Sequence, residues 1–149
     1  MKVVRIAALS LVIASLVVAC AGSAAPTAAP PTGTPAPTRI EVSLLDTMRI
    51  EPAAMTVPAG IPVTFIVTNE GQITHDFTLG DVDVQDEHEQ EMLEMGGMSH
   101  GDAENVITVD PGETKELVYT FEAPGTSLAG CHVPGHYPAG MKATITIAG

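Results

Sequence analysis

From residue 39 onward, apolar and polar positions alternate in runs too short for helices, broken at short intervals by Pro, Gly and Asn. In Val63-Thr64-Phe65-Ile66-Val67-Thr68 the odd positions are apolar and two of the even ones are Thr, the period-two pattern of a strand with one face in a core. The same reading predicts strands over residues 40–45, 55–57, 63–68, 73–79, 107–109, 115–121, 127–131 and 143–148. Pro58-Ala59-Gly60, Asn69-Glu70-Gly71, Pro111-Gly112 and Pro124-Gly125 supply turns between them. Short strands so punctuated point to an all-β sandwich, and about 110 residues suffice for one such core but not for two. With no Trp, the core is expected to be mainly aliphatic around Phe65, Phe77 and Phe121.

Residues 81–104 break the alternation. Glu87-His88-Glu89-Gln90-Glu91-Met92-Leu93-Glu94-Met95 has high helix propensity, and Gly96-Gly97 would end such a helix. The expectation is an acidic, partly helical insertion that lays Met92, Leu93 and Met95 on the sandwich while its acids face water. Met92, Met95 and Met98, flanked by His88 and His100, also form a candidate secondary Cu(I) site.

The first 38 residues read differently again. Lys2 and Arg5 precede an apolar stretch, residues 6–18, too short to cross a bilayer core of about 30 Å. Val17-Val18-Ala19-Cys20 looks like a bacterial lipobox, so residues 1–19 are expected to be a lipoprotein signal peptide and Cys20 the lipidated residue. Residues 20–38, rich in Ala, Pro and Thr, then form a tether, and 39–149 the folded domain. This places the protein in the cell envelope, lipid-anchored and facing the periplasm or exterior. It also leaves Cys131 as a free thiol, because the chain has two cysteines.

The formal net charge is −12, and Arg39, Arg49, Lys115 and Lys142 are the basic residues after the leader. Such acidity argues against nucleic-acid binding.

The chemistry concentrates in Cys131-His132-Val133-Pro134-Gly135-His136-Tyr137-Pro138-Ala139-Gly140-Met141. A thiolate, an imidazole and a thioether at five-residue intervals are the ligand types of a type 1 copper site, which needs one further imidazole. His75, in a predicted strand far upstream, is the candidate for it. With His75, Cys131, His136 and Met141 the chain resembles the cupredoxins, the family of plastocyanin, azurin and auracyanin, over roughly residues 39–149. The Cys-x4-His-x4-Met spacing is most similar to the auracyanin and rusticyanin branch.

The resemblance implies a cupredoxin-like Greek-key β-sandwich holding one type 1 copper per chain. It implies electron transfer through His136, at the surface within an apolar patch of Val133, Pro134, Tyr137, Pro138 and Ala139. Asp76 occupies a position where the family commonly has Asn; its charge is expected to stabilise Cu(II) relative to Cu(I). His132 is expected to be solvent-facing or hydrogen-bonded, because no other ligands suggest a second copper beside it. The chain has no His-x-His pair and the four ligands leave no open position, so a single-electron carrier rather than an enzyme is expected. Its partner would be a basic redox protein such as a c-type cytochrome, or a membrane oxidoreductase. The alternative is a copper-binding carrier or resistance protein that sequesters copper, or passes it to a copper acceptor, through the site and the Met/His-rich insertion.

Overall fold

A computed structural model describes residues 38–96 and 101–149. The leader, Cys20, most of the tether, Met98 and His100 lie outside the described residues. Nine strands and one helix follow in order: β1 (Thr38–Leu45), β2 (Arg49–Glu51), β3 (Ala54–Pro58), β4 (Val63–Asn69), β5 (His75–Gly80), α1 (Val82–Glu94), β6 (Val106–Val109), β7 (Thr114–Tyr119), β8 (Gly125–Gly130) and β9 (Lys142–Ala148).

The strands form two mixed sheets, as expected for the all-β sandwich. One runs β2-β1-β4-β7 and the other β3-β9-β8-β5-β6. Two pairs are parallel, β1 with β4 (Thr38 opposite Val63) and β3 with β9 (Ala54 opposite Thr144); the others are antiparallel. The alternation read in β4 holds, since Val63, Phe65 and Val67 are fully buried. Phe65 lies at the centre, its ring 5.5 Å from Phe77 and 6.4 Å from Phe121. Phe77, two residues along β5 from His75, thereby anchors the strand that begins at that histidine.

Several boundaries differ from expectation. β2 is additional; at three residues it is too short to show a period, and Ile50 is its one buried side chain. β5 starts at His75 rather than residue 73, because Ile73 is exposed and its carbonyl accepts from Asn69 Nδ2 instead of from a ladder partner. β7 ends at Tyr119, before the residue 121 expected, and β8 ends at Gly130, leaving Cys131 just beyond the sheet.

The helix is longer than propensity alone suggests. It starts at Val82 because the Asp81 side chain caps it, accepting from the Val84 N–H at 3.0 Å. Gly96, at φ +66°, follows its end. Its inward face also departs from expectation. Gln85 and Met92 are buried, whereas Leu93 is 59% exposed. The inward stripe thus runs from buried Gln85 through half-buried Glu89 to buried Met92 at helical spacing, and two of its three members are polar.

Candidate metal centre

His75 opens β5 opposite Val109 of β6. The loop leading to it is clamped by the buried Asn69 carboxamide, which donates to the carbonyls of Ile73 (2.8 Å) and Val109 (2.9 Å) and accepts from the Gly71 N–H. Cys131 leaves β8 on the neighbouring strand, and its N–H donates to the Met141 carbonyl at 3.1 Å. The Met141 N–H in turn donates to the His136 carbonyl at 3.1 Å. The loop that contains Cys131, His136 and Met141 is therefore closed on itself by backbone bonds.

Within this frame Nδ1 of His75 lies 3.2 Å from Nδ1 of His136, and Sγ of Cys131 lies 3.7 and 3.3 Å from the two nitrogens. Among the described residues, these three are the one group of three His, Cys or carboxylate donors within 4.8 Å of one another. His75, Cys131 and Met141 are fully buried, and His136 keeps 8% exposure. Two imidazoles and a thiol converging in a dry site are a soft, cation-seeking donor set, and it fits copper.

Without a metal, burial favours neutral donors at this site. Burial, reinforced by the Asp76 carboxyl, pushes the Cys131 thiol well above its ordinary pKa. A bound cation reverses that balance, because a coordinating thiol is deprotonated. Burial, and then the His75 ring, lowers the His136 pKa and favours the neutral imidazole that a metal requires. Asp76 ties the two ligand segments together: its N–H points at Cys131 Sγ (3.4 Å) and its Oδ1 accepts the His132 N–H at 2.6 Å. Burial raises its pKa to about 7 despite that hydrogen bond.

His132 is not solvent-facing; it is fully buried beneath α1 and hydrogen-bonded at both nitrogens. Nδ1 meets Glu89 Oε2 at 2.8 Å and Nε2 meets Gln85 Oε1 at 2.7 Å. Gln85 Nε2 donates to Thr78 O (3.0 Å) and, more weakly, Leu128 O (3.4 Å), which fixes Oε1 as the acceptor and puts a proton on His132 Nε2. Burial pulls the His132 pKa down and Glu89 pulls against it. On its other side the ring stacks on Tyr137, 4.4 Å between centroids, and Lys142 lies over that tyrosine. Gly130 permits this approach, since a Cβ there would run into Gln85 Oε1 and the Tyr137 ring.

Of the candidate secondary cluster His88, Met92, Met95, Met98 and His100, the structure describes the first three. Met92 is buried against the sandwich, and the His88 ring stands edge-on to His132, 5.0 Å between centroids. His88 is not part of the donor group of the main site. Three site residues lie outside the candidate ligand set. They are Gln85 and Glu89, which hold His132, and Asp46, whose Oδ1 lies 3.1 Å from His75 Nε2. The Gln72 N–H, and then the His75 ring, hold the Asp46 carboxyl below its ordinary pKa.

Known proteins share both sequence and fold. The chain is 36% identical to the copper-resistant cuproprotein CopI of Pseudomonas aeruginosa, over 72% of this chain and 75% of that protein. It is 37% identical to the CopI of Rubrivivax gelatinosus, over 72% of this chain but 65%, just under two thirds, of that protein. The structure superposes on dithionite-reduced auracyanin from Roseiflexus castenholzii with a TM-score of 0.66 at 26% identity, covering 76% of this chain and 99% of auracyanin. The profile of copper binding proteins of the plastocyanin/azurin family matches residues 38–148. With that match over a two-sheet β-fold and a buried His-Cys-His site, the chain belongs to the plastocyanin/azurin family, as a cupredoxin-like blue copper protein with copper as its cofactor.

Proposed function

We propose that this protein is a copper-resistance cuproprotein that binds copper in the cell envelope. The observation that carries the reading is the 36–37% identity, over 72% of this chain, to proteins named for copper resistance. In this reading His75 Nδ1, Cys131 Sγ and His136 Nδ1 would hold the metal, with the buried Met141 thioether as a weaker fourth donor. Copper bound there supplies a one-electron couple. The chain keeps the site dry, fixes both imidazoles and the thiolate, and limits movement of the loop from Cys131 to Met141. Lipidation at Cys20 would tether the domain to the membrane, and a copper acceptor in the envelope would be its partner.

A second reading, single-electron carriage to a c-type cytochrome or membrane oxidoreductase, draws on one further observation. His136 is the only one of the four proposed ligands that reaches the surface, and Pro134, Pro138 and Ala139 beside it are exposed.

The deciding experiment expresses the full chain in a copper-sensitive envelope-stressed bacterium and scores growth against copper concentration. The wild type is expected to raise tolerance, and Cys131→Ser to lose both that gain and the thiolate-to-copper absorption band. Full tolerance in a colourless Cys131→Ser strain overturns the resistance reading of this site. No tolerance from a wild type that still carries one intensely coloured copper favours the carrier.

A further inference from the structure

Asp46 follows β1 in the turn before β2, on the other sheet from His75. Its carboxylate nevertheless reaches the loop that leads into β5. Oδ2 accepts the Gln72 N–H at 2.7 Å, and Oδ1 lies 3.1 Å from His75 Nε2. The space for it is built in, because a Cβ on Gly71 would run into the Asp46 carboxylate. Asn69 holds the same loop from behind.

The two faces of the His75 ring system are thus assigned by geometry. Nδ1 faces His136 Nδ1 and Cys131 Sγ, and is the nitrogen turned to the metal position. Nε2 faces a carboxylate, so it carries the proton and donates it to Asp46 Oδ1. A carboxylate behind a ligating imidazole fixes its tautomer and ring orientation and raises the basicity of the metal-facing nitrogen.

We infer that Asp46 is a positioning residue of the copper centre which, through His75, biases bound copper toward Cu(II) and lowers its reduction potential. The inference rests on the reading of His75 as a ligand. Physically, the negative charge beyond Nε2 strengthens donation from Nδ1, and the higher-charged Cu(II) gains more from that donation than Cu(I). Asp46 is 37% exposed at its side chain, so water screens part of the effect. It acts apart from Asp76, which lies on the Cys131 and His132 side of the site.

The test compares copper-loaded full-length wild type, Asp46→Asn and Asp46→Glu. Asp46→Asn is expected to keep the thiolate band while its preference for Cu(II) over Cu(I) falls roughly tenfold, which is about 59 mV upward for a one-electron couple. Asp46→Glu, which restores the charge, should bring the potential most of the way back. An unchanged potential in coloured Asp46→Asn overturns the inference. Absence of the thiolate band in the wild type itself would instead mean that the ligand reading has failed. If Asp46→Asn does not fold, 15N spectra of Cu(I)-loaded wild type decide. A slowly exchanging Nε2–H on His75 supports the inference, and an Nε2 without a proton, or one bound to metal, overturns it.

Discussion

Asp76 accepts the His132 N–H and points its own N–H at Cys131, so one residue stitches together the two segments that carry the site. Its folded pKa of about 7, against 3.8 in an ordinary carboxyl, makes it a source of pH dependence in the metal-free protein. Between those values the folded state binds more protons than the unfolded state, so this residue's contribution makes stability fall as pH rises from about 4 to about 7. The difference between about 7 and 3.8 corresponds to an upper bound of about 4 kcal/mol. Asp76→Asn should remove that slope: in urea unfolding of the metal-free protein, the variant should gain on the wild type by a few kcal/mol between pH 4.5 and pH 8. Parallel pH profiles for the two would show that Asp76 does not titrate in this window. The sequence made the tie between segments visible, because Asp stands where the family has Asn. It did not show the depth of burial, which depends on α1 closing over the loop.

Helix α1 shows what a hydrophobic pattern misses. Propensity marks it from Glu87 onward, yet its first turn, Val82-Asp83-Val84, looks strand-like, and Asp81 merges into an acidic run although it is the cap. Its inward stripe of Gln85, half-buried Glu89 and Met92 is mostly polar, so no apolar period points inward. The signal that was available is the spacing of Gln85, Glu89 and Met92 at i, i+4 and i+7, which has meaning only once a polar partner such as His132 is known to wait beneath. Two substitutions separate the tasks of the helix. Asp81→Ala removes the N-cap and should cost about 1 kcal/mol of stability while leaving the copper spectrum unchanged. Gln85→Leu strips hydrogen bonds from Thr78 O, Leu128 O and His132 Nε2, and should cost about 2–4 kcal/mol while perturbing the copper hyperfine splitting. Equal spectra in both variants would mean that α1 supports the fold but not the site.

At the scale of the molecule, strands were legible because period two survives in short segments, and donor types were legible because Cys, His and Met at loop spacing have few other uses. Pairing was not. The parallel partnerships of β1 with β4 and β3 with β9 join segments separated by other strands, and Asp46 meets His75 from the opposite sheet, so only the packed tertiary structure brings these groups together. The same architecture predicts how copper acts on the whole domain. His75 begins β5, Cys131 follows β8, and Met141 precedes β9, so a metal held by these residues links three neighbouring strands of the five-stranded sheet. Binding to the folded state alone stabilises by about 2.7 kcal/mol at one hundred times the dissociation constant. For a domain of this size that corresponds to a rise in Tm of about 10 °C. Chelating copper from the wild type should reverse the rise. Cys131→Ser, which exchanges one small buried side chain for another, should melt near the metal-free wild type and gain little when copper is returned. A full copper-dependent rise in Cys131→Ser, measured by scanning calorimetry with matched free copper, would place the stabilising metal somewhere other than the His-Cys-His cluster.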